Sequence, residues 1–110
     1  MARFQYMILN RAKPGREAEF KRWYTEQHLV DVRRVPGVLD AKLFTVDFQK
    51  TYDLEVPSWD VMTVYELECD DPVAKIEEIK ALSGTAAMPA TDTIERAGML
   101  QAVGHLILHV

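Results

Sequence analysis

Two segments with the composition of β-strands are apolar on both faces, and this pattern restricts the folds open to the chain. Side chains alternate between the two faces of a strand, so a sheet with one wetted face shows polar residues at every second position. Residues 38–49 and 99–109 lack that alternation. In the first segment, the apolar residues are Val38, Phe44, Val46 and Phe48 on one face and Leu39, Ala41 and Leu43 on the other. Both faces of the predicted sheet therefore need a cover.

The order of the predicted elements indicates what covers each face. Strands are predicted over residues 4–10, 38–49, 59–67 and 99–109, and helices over 16–33 and 72–84, with an irregular segment at 84–93. Asp71 and Pro72 form a typical helix start, as N-cap and first helical residue. The βαββαβ order predicts an α+β, ferredoxin-like sandwich whose antiparallel sheet has both helices on one face. A second copy of the chain would cover the other face, so we expect a homodimer.

Composition limits the possible partners and the cellular location. A chain of 110 residues with 48% hydrophobic content predicts a single domain over residues 1–110. The net charge of −4 and the lack of a basic cluster argue against nucleic acid or an anionic membrane as a partner. No signal peptide or membrane-spanning stretch is apparent. Cys69 is the only cysteine, so an internal disulfide is impossible and we expect a cytoplasmic protein.

The first predicted helix carries an unusual buried face over residues 17–31. At about 100° per residue, seven side chains fall on one arc. That arc contains Phe20, Trp23, Tyr24, Gln27, His28, Val30 and Asp31. A helix that only packs against a core would be mainly aliphatic there. Because buried polar groups need partners, the mixture of aromatic and polar residues favours the wall of a ligand pocket.

The same stretch completes a longer motif that resembles a known family. The pattern is Arg11-x-x-Pro14-Gly15, Glu17-x-x-Phe20-x-x-Trp23-Tyr24-x-x-x-His28-Leu29-x-Asp31 and Val35-Pro36-Gly37-Val38. It resembles the ethyl tert-butyl ether degradation (EthD)-like branch of the dimeric α/β-barrel proteins and covers about a quarter of the chain. The resemblance implies a barrel-like homodimer. It also implies a small, mostly cofactor-independent enzyme or ligand binder that acts on aromatic, lactone or polyketide-like molecules.

Three residues of the helix are predicted to carry the chemistry. His28 can exchange a proton near pH 7, at an ordinary pKa of about 6.5. Tyr24 and Asp31 lie about one turn away on either side. The imidazole would move the proton, the phenol would donate to an oxyanion and the carboxylate would orient the ring. Alternatively, His28 is a core-edge histidine bonded to a backbone carbonyl, and Asp31 forms a surface ion pair with Arg34.

Further residues are predicted to contact a substrate. They are Phe20, Trp23, Gln27, Tyr65 and His105. Phe20 and Trp23 are at a spacing that is more often core than ligand contact, and Gln27 could equally cap a strand end. His105 could point into the pocket or into a dimer interface. His105 and His109 would be about 13 Å apart on a strand, which is too far for one metal ion. We therefore expect no metal and no cofactor.

These residues leave three function classes open. The first is a cofactor-free lyase, isomerase or cyclase acting by acid/base chemistry on a small aromatic or lactone-like compound in a catabolic or secondary-metabolic pathway. The second is a non-catalytic, small-molecule-binding accessory protein of a degradation pathway. The third is a cofactor-free oxygenase on the same fold. Nucleophilic catalysis has little support, because the chain has no Gly-x-Ser-x-Gly motif and the acidic neighbours of Cys69 disfavour a thiolate.

Overall fold

Four strands pair into one antiparallel sheet in the order β2-β3-β1-β4. The computed structural model describes all 110 residues. The strands are β1 (Ala2–Ala12), β2 (Val38–Thr45), β3 (Val61–Cys69) and β4 (Ile94–Gly104). Helix α1 follows β1 in three continuous segments, Glu17–Trp23, Tyr24–His28 and Leu29–Arg33, and helix α2 is Pro72–Leu82. The predicted ferredoxin-like α+β fold is thereby confirmed. No helix is long and apolar enough to span a membrane.

The core lies between one face of the sheet and the two helices. Alternate residues of β1 and β3 are buried, as expected for strands that cover a core on one side. Tyr6 and Leu67 from the sheet cluster with Val32 of α1 and with Ile76 and Ile79 of α2. The Asp71 carboxylate accepts hydrogen bonds from the backbone N–H groups of residues 73 and 74, so the predicted N-cap is present and starts α2 beside the sheet.

The last strand begins five residues earlier than predicted. It spans Ile94–Gly104 instead of 99–109, because β1 extends to Ala12 and pairs there with Ile94. The residues after Gly104 therefore lie outside the sheet, and Ile107 is 94% exposed. The apolar pattern of 106–108 suggested a strand, but the pairing of β4 with β1 ends at Gly104, opposite Gln5.

The second strand is shorter than predicted and changes register near its start. It ends at Thr45 instead of residue 49, and the third begins at Val61 instead of residue 59. A register shift between Val38 and Asp40 moves the side chains of the following residues to the opposite faces of the sheet. Val38 is therefore buried opposite Leu67, whereas Phe44 is exposed opposite Met62. The prediction that Val38 and Phe44 share a face is wrong for this reason.

An apolar row crosses the face of the sheet that the helices leave uncovered. Side chains directly opposite one another in paired strands lie on the same face. The register aligns Phe44, Met62, Leu9 and Leu100 across all four strands. Phe44 is 43% exposed and Leu100 is 40% exposed. Apolar surface of this kind is typical of an interaction site.

Gly98 in β4 lets the 46–60 segment pack closely against the sheet, because a side chain at this position would collide with that segment. Its φ of +81° is in the left-handed region, and an added Cβ would lie 2.6 Å from Pro57 Cγ. Gly15 has a φ of +83° but open space around it, so it isolates the backbone cost. We expect Gly98→Ala to lower the free energy of unfolding by about 1–3 kcal/mol more than Gly15→Ala. Urea denaturation of both variants measures this difference, and equal losses would contradict the steric argument.

Candidate functional site

A π-helical turn in α1 brings two residues of the site together. Over Tyr24–His28 the helix widens, and the Leu29 N–H donates to the Tyr24 carbonyl five residues earlier. In a regular α-helix, side chains five residues apart point about 140° away from each other. Here the rings of Trp23 and His28 stack, with centroids 4.3 Å apart and planes 16° from parallel. The π-helical turn therefore brings into direct contact two side chains that a regular α-helix would point in different directions.

The stacked pair lies in the wall of a cavity of about 450 Å³. The cavity lies between α1, the end of α2, the 83–91 segment and the helix-covered face of the sheet. Its polar and aromatic wall includes Trp23, Tyr24 and His28 of α1, Tyr6 and Asn10 of β1, and Tyr65 of β3. A mostly apolar cavity with a few polar groups is the usual form of a small-molecule site.

His28 is a neutral imidazole at physiological pH. Burial lowers its pKa to about 4, although the nearby Asp31 carboxylate acts in the opposite direction. Its Nδ1 atom is buried and has no hydrogen-bond partner within the protein. The alternative of a core histidine bonded to a backbone carbonyl therefore does not describe this residue. An unprotonated ring of this kind is able to accept a proton or a hydrogen bond.

Tyr24 is held by hydrogen bonds at the base of the cavity. The Asn10 amide donates to its hydroxyl oxygen over 3.0 Å. Burial raises the pKa of Tyr24, an effect that the side chains of Thr63 and Asn10 partly offset. Phe20 packs edge-on against the Tyr24 ring with centroids 5.3 Å apart. Tyr24 is therefore a neutral phenol in a fixed position at physiological pH.

Tyr65 presents a second phenol to the cavity, and its hydroxyl is free. The residue is only 1% exposed, and its hydroxyl has no hydrogen-bond partner within the protein. Burial raises its pKa well above the usual value, so the O–H bond stays intact. The neighbouring Tyr6 differs, since its hydroxyl donates to Gln101 Oε1 over 2.7 Å. Tyr65 is therefore the buried phenol with hydrogen-bonding capacity to spare.

The structure gathers some of the predicted site residues and separates others. Four of them line the cavity: Trp23, Tyr24, His28 and Tyr65. Four lie outside it: Phe20, which is fully buried in the core; Gln27, which is exposed; Asp31, which is paired with Arg34; and His105, which is exposed against Phe4. The prediction that Phe20 and Gln27 line the cavity is therefore wrong. For Gln27 the reason is the π-helical turn, because side chains do not advance by a constant 100° per residue across it.

Asp31 acts on His28 through charge and not through a hydrogen bond. One carboxylate oxygen lies 3.8 Å from Arg34 Nη1, whereas the other is buried without a partner. The surface ion pair considered from the sequence is therefore present. Because the carboxylate is close enough to oppose the fall in the His28 pKa, it favours the protonated ring.

Several residues of the cavity wall were missed by sequence reasoning. Asn10 was predicted as the last residue of the first strand, before a polar turn, but β1 continues past it and aligns it with Tyr6 and Ile8 on the buried face. The available signal was the spacing of Asn10, a polar residue two positions after Ile8 on the buried face of the strand. Lys80 and Arg96 also line the cavity, and no local sequence pattern relates residues that far apart.

The fold is similar to a solved structure of an EthD protein. That structure is the crystal structure of an ethyl tert-butyl ether degradation (EthD) family protein from Bacillus halodurans C-125. The two share 16% sequence identity with a TM-score of 0.58, over 96% of this chain and 99% of that chain. The expected resemblance is thus confirmed at the level of the fold. No protein-family model matches the sequence, and no curated protein is significantly similar to it.

The low pKa of His28 predicts a loss of stability in mild acid. The unfolded chain binds a proton on this histidine near pH 6.5, but the folded chain binds it only near pH 4. The free energy of unfolding should therefore fall by up to about 3 kcal/mol as the pH drops through this window. His28→Gln should flatten the decline, whereas the exposed control His105→Gln should retain it. Urea denaturation between pH 7 and 4 measures this, and an unchanged slope in His28→Gln would contradict the burial argument.

Proposed function

We propose that this protein is a cofactor-independent enzyme that moves a proton on a small aromatic or lactone-like compound, as a lyase, isomerase or cyclase. The observation that carries this proposal is the unprotonated His28 imidazole in the wall of a 450 Å³ cavity that also contains the free Tyr65 hydroxyl. A base and a hydrogen-bond donor at one cavity are the two groups that proton abstraction next to a carbonyl requires.

In the proposed reaction, His28 removes a proton from the carbon next to the substrate carbonyl. The C–H electron pair moves into the carbonyl group to form an enolate, and the ring becomes an imidazolium. Tyr65 donates a hydrogen bond to the developing oxyanion, with Tyr24 as a second phenol nearby. The negative charge of Asp31 stabilises the imidazolium. Return of the proton to a different atom gives an isomer, with no net gain or loss of protons or electrons.

A non-catalytic binder is the second candidate, and one observation favours it. A pKa of about 4 makes His28 a weaker base than an ordinary histidine, and catalysis by a base weakens as its pKa falls. The aromatic wall formed by Trp23 and Tyr24 would retain a ligand whether or not a reaction follows. The enzyme and the binder differ in whether a bound compound exchanges a proton.

Exchange of substrate protons with D₂O separates these two functions. A panel of aryl ketones and aromatic lactones with acidic C–H bonds is incubated with the protein in D₂O and followed by ¹H NMR. For an accepted compound, His28→Gln should lower the exchange rate by about 10²–10⁴-fold. Tyr65→Phe keeps the ring and should cost about 10–10²-fold, as one lost hydrogen bond to the oxyanion. The control His105→Gln should exchange at the wild-type rate. Binding by the wild type without any exchange would refute the enzyme and favour the binder.

We also propose that the chain acts as a homodimer through the uncovered face of the sheet. The row formed by Phe44, Met62, Leu9 and Leu100 supports this, because a second copy would remove its apolar surface from water. Association of identical faces about a two-fold axis would give the barrel that the EthD resemblance implies.

Sedimentation velocity at micromolar concentration tests the dimer. The wild type should sediment as about twice the chain mass of 12.6 kDa. Leu100→Asp should shift it to the monomer, because the dimer would bury an unpaired carboxylate. Ala74→Asp adds the same charge at an exposed position of α2 and should remain dimeric. A wild-type species of monomer mass would contradict the proposal.

A further inference from the structure

We infer that the ligand of the cavity is an organic acid, with an aromatic or lactone ring held between the aromatic side chains and a carboxylate bound at the mouth by Lys80 and Arg96. The inference rests on the proposed function, whose cavity it uses, and it specifies the class of substrate.

The formally charged side chains that line the cavity are cationic. Lys80 and Arg96 are the cationic residues of its wall, and no aspartate or glutamate lines it. The whole chain has the opposite balance, with 17 acidic residues against 13 Lys and Arg. Asp31 and Glu77 act through charge on His28 and Tyr6, respectively, but neither carboxylate lines the cavity. Cations that face a cavity with low-dielectric walls raise the local concentration of anions.

Neither cation is used by the protein itself. Ion pairs occupy other basic residues, for example Arg16 with Glu19 and Asp92. Lys80 and Arg96 take part in no ion pair, and their side chains make no hydrogen bond within the protein. Their charges are thus available to a ligand. A guanidinium in particular presents N–H donors in a geometry that matches both oxygens of a carboxylate.

The polarity of the cavity also orients such a ligand. Lys80 and Arg96 are exposed to solvent, whereas Tyr65 and Met88 are buried at 1% exposure each. An apolar ring would therefore enter first, toward the buried aromatic side chains. The carboxylate would remain at the solvent end, where its desolvation costs least. In this orientation the ring and its substituents, not the carboxylate, lie beside His28 and Tyr65.

Binding of three isosteric probes tests the charge preference. The probes are 1-naphthoate, 1-naphthamide and 1-naphthylmethylammonium, measured by isothermal titration calorimetry at pH 7.5 and low salt. We expect 1-naphthoate to bind about fivefold or more tightly than the neutral amide, and the ammonium to bind more weakly than both. Raising the salt concentration should weaken naphthoate binding and leave the amide unchanged.

Single substitutions assign the preference to the two cations. Lys80→Gln and Arg96→Gln should each weaken naphthoate binding by about two- to fivefold, and the double variant should bind the carboxylate and the amide equally. Neither should change the affinity for the amide. Arg22→Gln removes an exposed cation of α1 outside the cavity, so it should behave as wild type.

The outcomes separate this inference from the proposed function. Equal binding of naphthoate and naphthamide by the wild type would overturn the organic-acid inference and leave the cavity as a ligand site. A carboxylate preference that survives the double substitution would refute the assignment to Lys80 and Arg96. No binding of any probe would contradict both the inference and a ligand site for small aromatic compounds.

Discussion

The π-helical turn in α1 is the local feature on which the geometry of the site depends. A wider turn satisfies the backbone less well than a regular α-turn, so packing must stabilise it. Trp23 supplies much of that packing, because its ring stacks on His28 and its indole N–H donates to the Pro89 carbonyl over 3.2 Å. The same side chain thus holds the turn and ties α1 to the segment over the cavity. A regular helix would point the Trp23 and His28 side chains about 140° apart and would not stack their rings.

Several polar atoms at the cavity are buried without hydrogen-bond partners in the protein, and this lowers the stability of the fold. The Tyr65 hydroxyl, His28 Nδ1 and Asn10 Oδ1 are buried without hydrogen-bond partners in the protein. Each such group costs about 1–3 kcal/mol in a folded protein. A ligand that bonds to these atoms would recover part of that free energy. These unpartnered atoms and the neutral imidazole at one cavity support the proposed ligand binding and proton transfer.

The two faces of the sheet serve different purposes. The helix-covered face forms the core and the cavity, where residues such as Tyr6 and Tyr65 combine packing with polar tips. The opposite face is apolar in the middle, and towards the start of β1 it carries ion pairs from Arg3 to Glu66 and Glu68. An apolar centre with a charged margin is the usual anatomy of a protein interface. The proposed ligand site and the proposed interface therefore lie on opposite faces of the sheet.

The sequence by itself determined the βαββαβ order, the start of α2 at Asp71 and Pro72, and the mixed aromatic and polar face of α1, part of which lines the cavity. These features depend on hydrophobic periodicity and capping, which act over a few residues and are therefore visible locally. Tertiary structure decided the register of β4 against β1, the register shift in β2 after Val38 and the π-helical turn that separates Gln27 from the cavity. It also brought Lys80 and Arg96 to one cavity and lowered the pKa of His28. Strand pairing, burial and charge proximity depend on contacts between distant segments, so no local pattern in the chain encodes them.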